Sequence, residues 1–334
     1  MKSSEAKIHH FSIVAQAWDD QDRHSPRKDW NSSKYTTYLA LLAACLLHAA
    51  VGHGATITVP DQYASIQEAV DHAGVGDEVF VRSGVYFENV LLSYRNPYLD
   101  LRGEDAATTV INGSGGTCIE VVGIGSTGSA SISGLTLTNG PDDFGGSCLR
   151  IYGSGEGSWT ITNNIFRDTN GSGILVLYDN VALSGNLFLR CASRGVFVSS
   201  GATVSIVNNT FVAVAGTGVY AHPQATYAKV SGNIFAYGHL DYSLTNDLFD
   251  YGCNLFWSQS SSRCGSAPTD FEADPQFCDY FAENFSLCAD SPANPGNQPL
   301  DLDCGQIGAF GSACSCEPQA SATATWGSLK NAYR

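Results

Sequence analysis

Charge is scarce in this chain and unevenly signed. Only 15% of its 334 residues are Asp, Glu, Lys or Arg, and 17 basic residues face 32 acidic ones. After residue 55 the balance is eleven basic against 27 acidic. That excludes a nucleic-acid partner, which needs a basic face, and it repels a polyanionic sugar unless a divalent cation bridges the two. Methionine occurs once and the charged heptads of a helical bundle are missing, which argues against an all-α fold. No paired Cys-x-x-Cys stands with histidines, so a zinc site is not expected and no metal is assigned. The longest uncharged apolar run, Tyr35 to Val51, falls short of the ~20 residues of a spanning helix.

What is present is repetition. Asn164-Ile165-Phe166, Asn186-Leu187-Phe188, Asn209-Thr210-Phe211, Asn233-Ile234-Phe235 and Asn254-Leu255-Phe256 follow at spacings of 22, 23, 24 and 21 residues. A period in that range means one supersecondary unit stacked on the next, none able to bury its apolar face alone. Before each Asn the chain alternates, with Trp159 and Ile161, Val181 and Leu183, Val204 and Ile206, and Ala228 and Val230 separated by small polar residues. Period 2 predicts short strands with one face inside. The 35 glycines suit tight corners between them. The reading is all-β: a parallel solenoid with an asparagine ladder, in which Asn supplies the left-handed corner, and an internal column of phenylalanines.

These repeats stand with Ala64-Ser65-Ile66-Gln67-Glu68-Ala69-Val70-Asp71, Gly76-Asp77-Glu78-Val79-Phe80-Val81 and Gly84-Val85-Tyr86-Phe87-Glu88-Asn89-Val90. Together they resemble the right-handed parallel β-helix superfamily of pectin lyases and pectinesterases, over roughly residues 56 to 260. The resemblance implies the fold and leaves the activity open. Residues 273–278 and 304–310 resemble the C-terminal closing segments of secreted bacterial β-helix proteins.

The expected organisation is a polar leader and signal peptide over 1–55, a β-helix domain over 56–260, a closing segment over 261–316 and a flexible tail over 317–334. Tyr35 to Val51 followed by Gly52, Gly54 and Ala55 reads as a secretory signal with no membrane span after cleavage. Leu42-Ala43-Ala44-Cys45 is the competing lipoprotein reading. Ten cysteines after the leader fit an oxidising compartment, and a secreted or cell-surface monomer follows. Ser65 to Ala73 has Ile66, Ala69, Val70 and Ala73 on one face and is predicted to be a helix capping the open end of the solenoid. Aligning coils sets Cys118 over Cys148, a disulfide candidate.

The same alignment gives two outward columns. One reads Glu120, Arg150, Leu175, Phe197, Tyr220, and the other Val122, Tyr152, Leu177, Ser199, His222. Outward aromatics in register make an apolar ridge, and ring faces stack on sugar rings. Arg150, Tyr152, Leu177, Phe197, Tyr220 and His222 are therefore the candidate ligand-binding residues, with extracellular polysaccharide as partner. A loop or the C-terminal segment folding over the ridge would give a structural spacer instead.

A third reading is a calcium-assisted polysaccharide lyase or a hydrolase. Asp142-Asp143 resembles the paired aspartates of polygalacturonases, but no Asn-Thr-Asp precedes it and no Arg-Ile-Lys follows. Pectinesterase patterns are absent too. Arg167, Asp168, Arg190 and Arg194 form a second cluster. Asp168 beside Arg190 is the best place for proton transfer, since a nearby cation keeps a carboxylate ionised. A surface ion pair explains it equally well. No complete catalytic motif is present, and no cofactor is required beyond calcium in the lyase reading.

Overall fold

Alternation decides the geometry of each coil. In the strand Ser158–Thr162 the buried residues are Trp159 and Ile161, while Ser158, Thr160 and Thr162 face outward. Val181 and Leu183 sit in register beneath them, followed by Val204 with Ile206 and Ala228 with Val230. The computed structural model describes residues 54–93, 98–123, 129–142, 146–153, 157–243, 249–259, 267–299 and 302–315. The chain divides into two units, 1–52 and 53–334. The leader, the signal segment, Cys264, Cys316 and the tail lie outside the described residues.

Within the second unit each coil gives one strand to each of three parallel sheets. One such coil runs Asn180–Ser184, Leu187–Cys191, Arg194–Val198. The first sheet has nine strands, the second nine and the third seven, and neighbours in each belong to consecutive coils. The result is a right-handed parallel β-helix, as the repeat implies.

The five ladder asparagines are buried between the first and second sheets. The ladder opens on Asn164 Oδ1, which accepts the Leu135 N–H at 3.0 Å. Each later side-chain oxygen accepts from the preceding asparagine: Asn186 Oδ1 takes the Asn164 backbone N–H at 3.0 Å, and Asn209 Oδ1 takes that of Asn186 at 3.0 Å. Each amide nitrogen donates to a carbonyl of the preceding coil, as from Asn209 to Leu183 at 3.0 Å. The left-handed corner is one residue earlier than the sequence suggests. Asn163, Gly185, Asn208, Gly232 and Cys253 carry φ between 56° and 66°, which leaves the ladder residue free to turn inward. The file ends on Asp270, whose Oδ1 accepts both the backbone N–H and the side-chain amide of Asn254, at 2.9 and 3.0 Å.

Phe166, Phe188, Phe211, Phe235 and Phe256 stack at centroid separations of 5.0, 4.6, 4.7 and 5.4 Å with rings nearly parallel. Rings this large need small residues across the core. A Cβ at Gly173 would meet Phe188 Cδ1 at 2.7 Å, and one at Gly195 would meet Phe211 Cδ1 at 2.6 Å. In the upper coils the second-sheet partner shrinks to Ile111 and Leu137, and the third-sheet position enlarges to Cys118 and Cys148.

That exchange of volume accounts for the cysteine pair. Cys118 and Cys148 are adjacent rungs, but both are free, fully buried thiols, as is Cys191. In-register parallel strands set Cβ atoms about 4.8 Å apart, wider than the ~3.5–4.5 Å of a disulfide. Cys118 instead donates to the Thr138 carbonyl at 3.2 Å. The neighbouring Cys148, then burial, hold its thiol well above the ordinary range.

At the N-terminal end the helix Ile66–His72 buries Ile66, Ala69 and Val70 against the first strands, and Ser65 caps it by accepting the Glu68 N–H at 3.1 Å. At the other end the closing segment does more than close the last coil. Phe271 continues the second sheet beside Leu255, and then the chain folds back over that sheet's outer face. Phe285, Phe277, Tyr280 and Phe310 pack on Leu187, Leu189, Val212 and Tyr237. Leu287, Ala293 and Ile307 pack on Ile234, Ala236 and Leu255. Two disulfides, Cys253–Cys304 and Cys278–Cys314, span 51 and 36 residues. Closures of that length contribute about 3–4 kcal/mol each.

Candidate functional site

Among the described residues the cover lies on the second sheet and leaves the third, where the ridge stands, open. The expected columns are there in register. Glu120 pairs beside Arg150, then Leu175, Phe197 and Tyr220 follow. Val122, Tyr152 and Leu177 form the neighbouring file. Ser199 and His222 continue it just past their strands, through Ser199 N–H to Val176 and His222 N–H to Val198. Tyr152 is 47% exposed, Leu177, Phe197, Tyr220 and His222 are half-buried, and Leu175 is covered at 7%. Leu91 and Val122 extend the exposed apolar surface upward.

Two residues belong to this face that the column alignment missed. Arg194 opens its strand three positions before Phe197 and lies with its guanidinium 4.6 Å from the Phe197 centroid and 4.8 Å from that of Tyr220. Those two rings meet edge to face at 5.3 Å. Tyr178, on the turn after Leu177, is exposed and meets Tyr152 edge to face at 6.0 Å. Its φ of 55° swings the ring away from the strand path, which periodicity cannot show. Arg150 and Glu120 form the expected ion pair at 3.5 Å, both partly exposed. His222 Nδ1 accepts the Gln224 N–H at 3.2 Å, so the proton sits on the other ring nitrogen, a donor.

The face therefore offers two kinds of contact side by side. Ring faces provide apolar stacking area, and guanidinium, imidazole and phenol groups provide directed hydrogen bonds.

The other cluster serves a different purpose. Asp168 and Arg190 do stand one above the other on the second sheet, and Arg190 bonds Asp168 through two nitrogens. Arg167 also reaches Asp168 at 2.7 Å, and both arginines bind Glu283 of the cover, at 2.9 Å from Arg167 and 2.6 Å from Arg190. Burial raises the Asp168 pKa, but Arg190 and Arg167 outweigh it and hold it below the ordinary value. A carboxylate saturated by two cations is a poor base, so the cluster works as a clamp for the C-terminal segment. Arg194 is not part of it.

Asp142 is exposed on its turn, and Asp143 lies outside the described residues. Among the described residues no group of three or more His, Cys, Asp or Glu is placed to hold a metal ion. No described helix is long and apolar enough to cross a membrane.

The family described as right handed beta helix region matches residues 110–259. No curated protein sequence matches this chain. Among solved structures, the pectin methylesterase from Aspergillus niger in deglycosylated form is similar at 15% identity, covering 68% of this chain and 91% of that one with a TM-score of 0.41. The same enzyme with an N-acetylglucosamine stub gives 15% over the same shares with a TM-score of 0.42. A pectin methylesterase mutant in complex with hexasaccharide IV gives 15% identity, 62% and 72% coverage and a TM-score of 0.34.

Proposed function

We propose that this chain is a secreted β-helix repeat protein that binds extracellular carbohydrate along the outer face of its third sheet. The observation carrying the reading is the stack of Arg194, Phe197 and Tyr220 on a sheet face that the C-terminal cover leaves alone. Exposed aromatics held rigid by a strand lose little entropy on binding, and a flat ring suits the apolar face of a sugar. From Arg150 to Tyr220 the ridge crosses three coil steps, about 14 Å at ~4.8 Å each, enough for a few sugar rings in a row. Secretion is supported by the apolar segment Tyr35 to Val51 and by the two disulfides.

A glycan array tests the proposal. Wild type is expected to retain a subset of neutral or mixed polysaccharides. Phe197→Ala and Tyr220→Ala should each weaken retention about tenfold, the ~1.4 kcal/mol scale of one ring contact. Thr160→Ala, exposed on the first sheet, should change nothing. Retention unaltered in both ring variants, or no glycan retained by wild type, overturns the reading.

A further inference from the structure

Asp179 turns inward at the corner between the third and first sheets and is 1% exposed. Its Oδ1 accepts the Asn180 N–H at 3.0 Å, and the Trp159 side chain hydrogen-bonds the carboxylate. Its Oδ2 is buried and has no hydrogen-bond partner. The carboxyl fills the space of a missing side chain, for a Cβ at Gly153 would fall 2.1 Å from Oδ2. In the next two coils the equivalent positions are Ala202 and Thr226, so packing alone does not call for an acid here.

The corner is continuous with the ridge. Gly153 follows Tyr152 and donates its N–H to Leu177 at 3.1 Å. Tyr178, next to Asp179, rests edge-on against Tyr152. The elements packed on Asp179 bring Tyr152 and Gly153, Trp159, Tyr178 and Asn180, and Thr203, whose N–H binds the Asp179 carbonyl at 2.9 Å. The titratable groups among them are the two tyrosines, and no charged side chain among the described residues acts on the carboxyl.

We propose that Asp179 is a proton sensor for the tyrosine end of the ridge, firming Tyr152 and Tyr178 in acid and loosening them when it ionises. An unpaired buried charge costs far more than a neutral carboxyl in the same place. Burial first, only partly offset by the Asn180 and Trp159 bonds, pushes the group up to about 6. Because the folded value lies above the ordinary one, the stability it contributes is complete below about pH 4 and is lost as pH rises through 6. The purpose of the sensor rests on the ridge being a binding face, but its titration does not.

The test is NMR of the free full-length protein between pH 4 and 8, following the Trp159 indole N–H and the rings of Tyr152 and Tyr178. The expected result is a shared transition with a midpoint near 6, absent in Asp179→Asn. A transition that persists in Asp179→Asn overturns the inference. Should that variant fail to fold, the 13C carboxyl resonance of Asp179 in wild type decides, and a midpoint near 4 overturns it. No glycan enters these measurements, so a ridge that retains no sugar and a sensor that does not titrate are separate outcomes.

Discussion

Replacing Asn209 with alanine removes the central rung of the ladder and gives the sharpest stability test of the fold. Its Oδ1 accepts the Asn186 backbone N–H at 3.0 Å and the Asn186 amide at 2.9 Å. Its Nδ2 donates to Leu183 at 3.0 Å, Val207 at 3.1 Å and Asn233 Oδ1 at 3.2 Å. The Asn186 amide keeps an acceptor in Ile161 at 2.8 Å, and Asn233 Oδ1 keeps the Asn209 backbone N–H at 2.8 Å. What is stranded is the Asn186 backbone N–H, in a corner with no exposed surface. An orphaned buried donor costs ~1–3 kcal/mol, and the two carbonyls that lose a partner add about 1 kcal/mol. The expected loss is roughly 2–4 kcal/mol. Asn209→Asp should do no better at neutral pH, because the restored acceptor comes with a buried carboxylate oxygen set against the Leu183 and Val207 carbonyls and Asn233 Oδ1. Aspartate serves at position 270 because its carboxylate accepts from donors there, the Asn254 N–H and amide and the Ala267 N–H at 3.0 Å. Urea unfolding measures the loss, and hydrogen exchange at Asn186 locates it, since repeat arrays open locally. A loss below about 1 kcal/mol, or unchanged protection of the Asn186 amide, refutes the reasoning.

Gly195→Ala sets a Cβ 2.6 Å from both the Gly218 carbonyl oxygen and Phe211 Cδ1. Overpacking there should cost about 1–3 kcal/mol, read as a lower urea midpoint, whereas Gly311→Ala, with open space around its Cα, should be silent. Glu283→Gln removes the acid shared by Arg167 and Arg190. These groups are partly exposed, so the loss should be only ~0.5–1 kcal/mol, and it should shrink in high salt and speed proteolysis within residues 267–314. Equal cleavage of the variant and wild type would remove the clamp.

Much of the solenoid could be read from the sequence because stacking repeats its own signature. The Asn-x-Phe period, the alternation ahead of it and the columns they imply are local and recur five times, so register followed from counting. The cover could not be counted, although it left a trace. Leu187-Phe188-Leu189, Ile234-Phe235-Ala236 and Leu255-Phe256-Trp257 are apolar without alternation, the mark of strands buried on both faces. Asp270 escaped notice because it is followed at once by Phe271, one residue short of the repeat. Arg190 and Glu283 are 93 residues apart with no period between them, so proximity on one strand face suggested an acid–base pair where a third partner made a clamp. Arg194 was grouped with that cluster by charge, yet its strand carries it onto Phe197 and Tyr220 instead. The volume exchange between Phe with Gly and Leu or Ile with Cys depends on facing sheets, and sequence columns compare only one sheet at a time.

The binding face itself is tested most directly by NMR of the ring protons of Phe and Tyr in selectively labelled protein, titrated with a glycan retained on the array. Ligand-ring stacking should shift Phe197 and Tyr220 most, Tyr152 and Tyr178 less, and leave Phe281 and Phe285 of the cover in place. Shifts centred on the cover or on Tyr227 of the first sheet, with Phe197 and Tyr220 unmoved, would contradict it.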